Sequence, residues 1–226
     1  MVGLGIRSTH LTAETASALR RCRRAFAVLP YPEQRRLLRA RCGRVSDLRR
    51  LYVEGKDRRR TYSEMADAVI AGATSTPPVA FVVYGHPLVG SRPSRLIIER
   101  ARRLGLQTVL LPAVSSLDCL IADLGVDPLR DGLQVFLAAD LLFRRRTLQA
   151  DVPCFIYQPV RRLKAHLLHF YPSDHEVVVA GSDMGPSFPG RFGRIRLGRL
   201  ERAAGALHPA TTLYVPSLPP GRSKRR

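Results

Sequence analysis

The sequence lacks any stretch of about 18 consecutive apolar residues, so we expect no transmembrane helix. Its first residues, 1–12, also lack the positively charged and then apolar arrangement of a secretory signal peptide. We therefore expect a cytoplasmic protein that does not insert into a membrane. The 226 residues, 45% of them hydrophobic, are enough to bury the core of one large domain or of two modest ones.

The motifs of several common chemistries are also missing. The four cysteines are widely spaced and none forms a C-x-x-C pair, so we expect reduced thiols and neither a disulfide framework nor a zinc site. His166 and His169 could share a helix face, but no H-E-x-x-H pattern or acidic ligand accompanies them, so we predict no metal site. The sequence contains neither G-x-x-x-x-G-K-S/T nor G-x-S-x-G, which excludes a P-loop and the nucleophile elbow of α/β-hydrolases.

Basic residues outnumber acidic ones by 37 to 18 and give a formal net charge of +19. Only Lys56, Lys164 and Lys224 are lysines, so arginine carries nearly all of this positive charge. The arginines are spread along the whole chain, and no zinc finger, RNP-type strand or basic-region helix accompanies them. We therefore predict no nucleic-acid partner, although the charge would attract an anionic one. Residues 221–226 are expected to form a disordered basic tail.

Apolar, β-branched runs alternate with helical patterns, which predicts an α/β fold. The predicted strands are Val79–Tyr84, Thr108–Pro112, Gln134–Leu137, Cys154–Gln158, Glu176–Ala180, Gly193–Leu197 and Thr212–Pro216. A helical pattern over 94–105 lies between the first two strands and predicts a βαβ unit and a largely parallel sheet. Shorter links rich in proline and glycine follow Pro112, so we predict domains 1–112 and 113–220.

Two helix starts carry the pattern of a capping box. Thr61 and Glu64 form one such pattern, which would make Tyr62 the first helical residue. Ser115 and Asp118 form the other, at the start of the segment Ser-Leu-Asp-Cys-Leu-Ile-Ala-Asp-Leu.

Two glycine-containing segments are candidates for a ligand site. Val2–Ser8 contains G-x-G but no third glycine, which is a poor dinucleotide fingerprint yet suits a tight turn after a strand. The strand ending at Tyr84 is followed by Gly85-His86-Pro87, which leaves the backbone bare. In α/β sheets, ligands usually bind at the carboxyl ends of the strands, where both segments would lie.

These segments together resemble a known family. VGLGI, YGHPLVGSRPS, LLPAVSSLDCLIADLGVDP, DHEVVV and TTLYVP occur in the order seen in S-adenosylmethionine-dependent tetrapyrrole methylases. The chain looks most like the methyltransferase domain of the borosin enzymes, which N-methylate peptide backbones. The resemblance covers nearly the whole chain and implies two α/β domains of the class III methyltransferase type, with S-adenosylmethionine in the cleft between them. It also implies a homodimer.

Carried over by position, the resemblance implies a cofactor site formed by both domains. Its implied members are Tyr84, Gly85, His86, Pro87, Val89, Ser115, Ser116, Gln158, Ser182, Thr211 and Thr212. Leu88 and Ala113 stand where the family often has glycine, which would make this cleft slightly tighter. The segment after Gln158 is also shorter than in the family, so access for a substrate could differ.

The borosin domain carries a tyrosine, an arginine and another tyrosine before its Y-G-H-P strand, and Tyr52, Arg58 and Tyr62 match them. A peptide amide is a weak nucleophile and must lose its proton before it can attack a methyl group. A cation beside a tyrosine lowers the pKa of the phenol. We therefore predict Tyr62 as base or proton relay, Arg58 as the charge that favours its ionisation and stabilises the imidate oxygen, and Tyr52 as a positioning partner.

Fused borosins carry their substrate peptide after the methylase, whereas this sequence ends shortly after TTLYVP. We therefore expect the peptide to be a separate molecule. The first strand is expected to be very short or to begin upstream, because only Met1 and Val2 precede the first glycine. Two alternatives remain open: methylation of a small molecule such as a tetrapyrrole, and a non-catalytic protein of this fold that binds the cofactor or RNA.

Overall fold

The computed structural model describes residues 1–180, 192–202 and 211–219. The chain divides into two compact units, Met1–Cys119 and Leu120–Arg226.

The first unit is built on a four-stranded, fully parallel sheet. Its strands are β1 Val2–Gly3, β2 Arg24–Val28, β3 Val45–Asp47 and β4 Val79–Val83, in the order β1-β4-β2-β3. Phe26 of β2 pairs in register with Phe81 of β4, at the centre of the sheet. Because all strands are parallel, their carboxyl ends meet at one edge.

Helices cover both faces of this sheet. They are α1 Ala13–Arg21, α2 Pro32–Arg39, α3 Arg58–Ser75 and α4 Arg92–Arg103, with short 3-10 turns at Ser8–His10 and Leu48–Leu51. One buried cluster joins Leu19 of α1 and Leu38 of α2 to the sheet, and another joins Met65 of α3 and Ile97 of α4 to its other face. The parallel sheet buried on both sides is the arrangement expected of an α/β domain.

One predicted strand in this unit is wrong. Residues 108–112 do not form a strand. They contact Met1 through two hydrogen bonds. The Met1 amine donates to the Val109 carbonyl at 2.5 Å, and Leu111 N donates to the Met1 carbonyl at 3.0 Å. Their neighbour β1 has only two residues, which is too short to pair a full strand. The predicted βαβ unit therefore ends after α4, whereas the strand at Val79–Val83 and its following helix are confirmed.

The second unit contains a five-stranded mixed sheet. Its strands are β5 Gln134–Leu137, β6 Cys154–Tyr157, β7 Glu176–Ala180, β8 Phe192–Arg196 and β9 Thr212–Val215, in the order β5-β6-β9-β7-β8. Only β5 and β6 pair in parallel; the other pairs are antiparallel. All five predicted strands are confirmed, but the predicted parallel arrangement holds only for the first sheet. Sequence periodicity predicts strands and carries no direct information on their direction.

Helices pack on one face of this second sheet. They are α6 Ala138–Phe143, α7 Leu163–Leu167 and a 3-10 turn at Leu197–Arg202, while α5 Ser116–Leu124 spans the division between the units. The buried cluster on this face includes Leu141, Ile156, Leu167 and Leu213. In the described part of the chain, no helix combines the length and apolar character needed to cross a bilayer.

Candidate functional site

Two glycine segments cross at the carboxyl edge of the parallel sheet. Leu4 N donates to the Val83 carbonyl and Gly85 N donates to the Gly5 carbonyl, each at 3.0 Å. A Cβ atom on Gly3 would lie 1.9 Å from the Gly85 carbonyl oxygen, so only glycine fits there. We call Gly3, Gly5 and Gly85 the glycine crossing. It brings two bare backbone segments together where ligands of parallel sheets bind.

The turn after β4 is fixed by its own backbone geometry. Gly85 has φ +70°, a left-handed conformation that a side chain would strain. His86 follows, and its Nδ1 accepts a hydrogen bond from Leu88 N at 3.0 Å, which places the proton of the neutral ring on Nε2. Gly85 and Pro87 are buried, whereas Leu88 and Val89 are exposed. The bare turn predicted from the sequence is therefore present.

Gln34, which no sequence pattern predicted as a site residue, supports the glycine crossing through the Gly5 carbonyl. Its side chain on α2 is 3% exposed, and Nε2 donates to the Gly5 carbonyl at 2.9 Å. That carbonyl therefore accepts from both Gln34 and Gly85. The Oε1 atom of Gln34 is buried and has no hydrogen-bond partner among the described residues. The available signal was its spacing of four residues from Leu38, which puts a polar side chain on the buried face of the helix.

The second predicted capping box is confirmed at the start of α5. Ser115 donates from its backbone N and from its hydroxyl to Asp118 Oδ2, both at 2.6 Å, and its Oγ accepts from Leu117 N at 3.1 Å. Burial opposes ionisation of Asp118, but these bonds from Ser115 lower the pKa of the carboxyl below its usual value. The Cα atom of Ser115 lies 4.0 Å from where a Cβ of Gly85 would be, so this helix start borders the glycine crossing.

A pocket of about 630 Å³ opens beside the glycine crossing in the same unit. Its lining residues are Val28, Pro30, Arg49, Tyr52, Tyr62, Phe81, Val83, Tyr84, Val89, Gly90, Ser91 and Pro93. We call it the tyrosine pocket, because three tyrosines contribute to its wall. Its volume lies within the range of about 300–1,000 Å³ that small-ligand sites occupy. Four of the residues predicted from the sequence line it: Tyr52, Tyr62, Tyr84 and Val89.

The predicted Tyr52, Arg58 and Tyr62 lie together, and the two tyrosines line this pocket. The Arg58 guanidinium carbon lies 4.7 Å from the centre of the Tyr52 ring, and the Tyr52 and Tyr62 rings meet edge to face at 6.4 Å. Burial, and after it the neighbouring Tyr62, raise the pKa of Tyr52, while Arg58 acts in the opposite direction. Tyr52 therefore stays a neutral phenol, and its ring contacts both the Arg58 cation and the Tyr62 ring.

The helix that carries Tyr62 begins one turn earlier than predicted. Its N-cap is Asp57, whose carboxylate accepts from Arg59 N at 2.8 Å, so Arg58 is the first helical residue. Thr61 lies inside the helix, and its hydroxyl donates to the Asp57 carbonyl at 3.3 Å. The predicted capping box at Thr61 is therefore wrong. The correction puts Arg58 and Tyr62 four residues apart on one helix face.

Tyr84 closes the pocket next to the glycine crossing. Its ring meets that of Tyr31 edge to face, with centroids 5.2 Å apart. Burial, followed by the neighbouring Tyr31, raises the pKa of Tyr84 well above its usual value. Like Tyr52, it therefore stays neutral and can donate a hydrogen bond.

The second unit holds the remaining predicted residues. Gln158 follows β6 with φ +54°, a left-handed conformation that is uncommon for a residue with a side chain, and its N donates to the Thr211 carbonyl at 3.0 Å. Thr212 pairs with Tyr157 in the sheet, and both threonines are buried. Gln158, Thr211 and Thr212 thus lie together, whereas Ser182 lies outside the described residues. Among the described residues, no group of at least three His, Cys, Asp or Glu could hold a metal.

Comparison with known proteins gives consistent matches. The family profile described as Tetrapyrrole (Corrin/Porphyrin) Methylases matches residues 1–183. A methyltransferase/ribosomally synthesized type III borosin cyclic peptide precursor of Anomoporia bombycina is 34% identical over 159 residues, which cover 70% of this chain and 18% of the relative. The methyltransferase and lentinulin A precursor of Lentinula edodes is 30% identical over 220 residues, which cover 97% and 49%. The chain thus spans less than half of the length of these curated relatives.

A solved structure gives the same fold. The uroporphyrin-III-C-methyltransferase of Thermus thermophilus superposes with a TM-score of 0.67 and 19% identity, over 96% of this chain and 90% of that one. At this identity the likeness shows the fold alone. The profile match over most of the chain and the borosin relatives lead to one conclusion: this chain belongs to the tetrapyrrole methylase family and is related to the borosin methyltransferases.

Proposed function

We propose that the protein is an S-adenosylmethionine-dependent methyltransferase that N-methylates backbone amides of a ribosomally made peptide. The observation that carries this proposal is the tyrosine pocket, where Tyr52, Tyr62 and Tyr84 converge and Arg58 lies against Tyr52. The borosin relatives, whose names join a methyltransferase to a peptide precursor, support the choice of a peptide as acceptor.

The bare backbone of the glycine crossing supports the proposed cofactor site, because a Cβ atom on Gly3 would collide with the Gly85 carbonyl and Gly85 has a left-handed φ of +70°. S-adenosylmethionine supplies an electrophilic methyl group when bound. The bare Gly85-His86-Pro87 turn and the helix start at Ser116 would hold it in the first unit, and Gln158, Thr211 and Thr212 are the proposed contacts in the second. The Ser115 hydroxyl already accepts and donates within its own cap, so we assign Ser115 to shaping the site.

The chemistry proposed for the chain is removal of a proton from an amide and stabilisation of the resulting charge. Tyr62 is the proposed base or proton relay, because it lines the pocket from α3 and its ring meets that of Tyr52. Arg58 contacts the Tyr52 ring and lies one helical turn before Tyr62, so its cation would act by charge on both phenols and on the developing imidate oxygen.

Two measurements test the proposal. Calorimetry of the purified protein with S-adenosylmethionine should show saturable binding of one cofactor per chain. The second is mass spectrometry after incubation with S-adenosylmethionine and the precursor segment of the Lentinula edodes relative, supplied as a separate peptide. Added methyl groups that fragmentation places on backbone nitrogens are the expected result, and they would also test the predicted separate-peptide arrangement. Absence of cofactor binding would overturn the proposal.

The alternative acceptor, a small molecule, is tested in the same mass-spectrometry experiment. A net charge of +19 suits a polycarboxylate, and a tetrapyrrole polycarboxylate is therefore the matched probe. Methylation of the tetrapyrrole without methylation of the peptide would replace the proposed acceptor while leaving the methyltransferase assignment in place.

A further inference from the structure

Tyr52 and Tyr62, whose rings meet edge to face in the pocket, lie on segments that are held in place to different degrees. Tyr62 is on α3, which α4 anchors: the Arg100 guanidinium donates to the Ser63 carbonyl at 3.0 Å and to the Ser63 hydroxyl at 2.6 Å. Tyr52 begins an irregular segment, 52–57, between a 3-10 turn and α3. Most of this segment is exposed, Val53 by 61%, so apolar packing contributes little to its position. Besides its ring contacts with Arg58 and Tyr62, the position of Tyr52 therefore depends on a polar contact that joins its segment to α3.

Lys56 provides that contact. Its ammonium group donates to the Leu51 carbonyl at 3.3 Å and forms an ion pair with Glu64 of α3. Leu51 directly precedes Tyr52, and Glu64 lies two residues after Tyr62. The bonds of Lys56 thus join the residue before Tyr52 to α3, the helix that carries Tyr62. Its side chain is only 19% exposed and that of Glu64 33%, so water screens this pair less than an ordinary surface pair.

We propose that Lys56 and Glu64 are positioning residues which close the 52–57 segment against α3 and thereby set Tyr52 against Tyr62. This inference rests on the proposed function, since its consequence for catalysis requires that the tyrosines act on an acceptor. Neither Lys56 nor Glu64 lines the tyrosine pocket. Their effect is on the placement of Tyr52 and, through the same loop closure, on Arg58 beside it.

The choice of lysine is itself informative. The chain has 37 basic residues and only three lysines, so arginine is the default cation of this sequence. An ammonium group offers three donors on a flexible stem and can serve a carbonyl and a carboxylate that lie in different directions, whereas a guanidinium is a planar fork. Lys56 makes such a pair of bonds, to a backbone carbonyl on one side and a carboxylate on the other.

Glu64 has a second partner that serves as a matched control. Arg60 lies one turn before it on α3 and contacts its carboxylate at 3.2 Å, but the Arg60 side chain is 78% exposed. The two cations pair with one carboxylate, yet only Lys56 connects the segment to the helix. Lys56→Met and Arg60→Met therefore remove the same charge from the same carboxylate and differ in whether the loop is released.

The experiment measures two quantities on full-length variants. In methyl transfer to the peptide, Lys56→Met should lower kcat by about 10- to 100-fold, the loss expected when a reacting group is displaced by about 1 Å. Its Kd for S-adenosylmethionine should stay within about twofold, and Arg60→Met should match the wild type in both. A wild-type kcat for Lys56→Met, or equal losses in Lys56→Met and Arg60→Met, would overturn the proposal.

Hydrogen exchange separates this inference from the proposed function. The backbone amide of Tyr52 donates to Arg49 O in the preceding 3-10 turn at 3.0 Å, and that of Lys56 donates to Val53 O within the segment at 3.2 Å. Lys56→Met should speed their exchange, and Arg60→Met should not. This result would support the positioning role even for a protein that methylated no peptide, and unchanged exchange would contradict it. Glu64→Gln, which keeps the shape and removes the charge, gives the same comparison if Lys56→Met does not fold.

Discussion

The glycine crossing and the tyrosine pocket lie at the same edge of one sheet but are built by different means. The crossing is backbone against backbone, so close that a Cβ on Gly3 would collide with the Gly85 carbonyl. The pocket wall is made of side chains, one of which, Tyr52, is held by a loop that an ion pair closes. A site that binds a constant cofactor tolerates no change in shape, whereas a site that selects an acceptor can vary through its side chains. This contrast is the reason why we propose cofactor binding at the glycine crossing and acceptor selection in the tyrosine pocket.

Gly3→Ala should break the crossing with the largest effect. The added Cβ would lie 1.9 Å from a backbone oxygen, so the two segments must separate. We expect a loss in the free energy of unfolding of about 1–3 kcal/mol, the cost of overpacking, together with loss of S-adenosylmethionine binding. Thermal denaturation and calorimetry measure the two effects. Gly43→Ala is the matched control, because nothing lies within 4 Å of its Cβ position; equal behaviour of the two variants would contradict the account.

Gln34→Leu should weaken the crossing with less effect on the fold. The change removes the donor to the Gly5 carbonyl, a bond worth about 1 kcal/mol, but it also removes a buried acceptor without a partner. We therefore expect thermal stability near that of the wild type and a Kd for S-adenosylmethionine about fivefold higher. Gln107→Leu, at an exposed glutamine, should change neither value. An unchanged Kd in Gln34→Leu would mean that the crossing needs no support from α2.

The smallest expected effect concerns the pH dependence of stability, to which the raised pKa values of Tyr52 and Tyr84 should contribute. Burial raises the pKa of Tyr52 and Tyr84 above the ordinary value of 10.0, so the folded protein favours their neutral forms. Their contribution to stability is complete below pH 10.0 and is lost as the pH rises through the higher folded values. Melting temperatures followed above that pH should therefore fall, and less steeply in Tyr84→Phe. An equal fall in Tyr84→Phe would show that the Tyr84 phenol does not contribute.

Local patterns in the sequence predicted part of this site, and tertiary contacts decided the rest. The Ser115–Asp118 box was predictable because its bonds join residues three apart. The similar pattern at Thr61 and Glu64 failed because Asp57 caps the helix earlier and Lys56 and Arg60 pair with Glu64. Composition and spacing gave no reason to join Tyr52, Arg58 and Tyr62; that grouping came from the family resemblance.

Sequence periodicity could not predict two features of the structure. Residues 108–112 have the composition of a strand, but pairing requires a partner, and β1 offers only two residues. Gln34 acts on a carbonyl 29 positions away in the chain, a contact that no local pattern contains. Both outcomes depend on long-range geometry.

Tyr62→Phe tests the central claim most directly, because it removes one hydroxyl from the tyrosine pocket and leaves the glycine crossing untouched. We expect methyl transfer to the peptide to fall by about 100-fold or more, the usual loss when a general base is removed, while the Kd for S-adenosylmethionine stays within about twofold of the wild type. Methyl transfer at the wild-type rate would contradict the assignment of acceptor chemistry to this pocket.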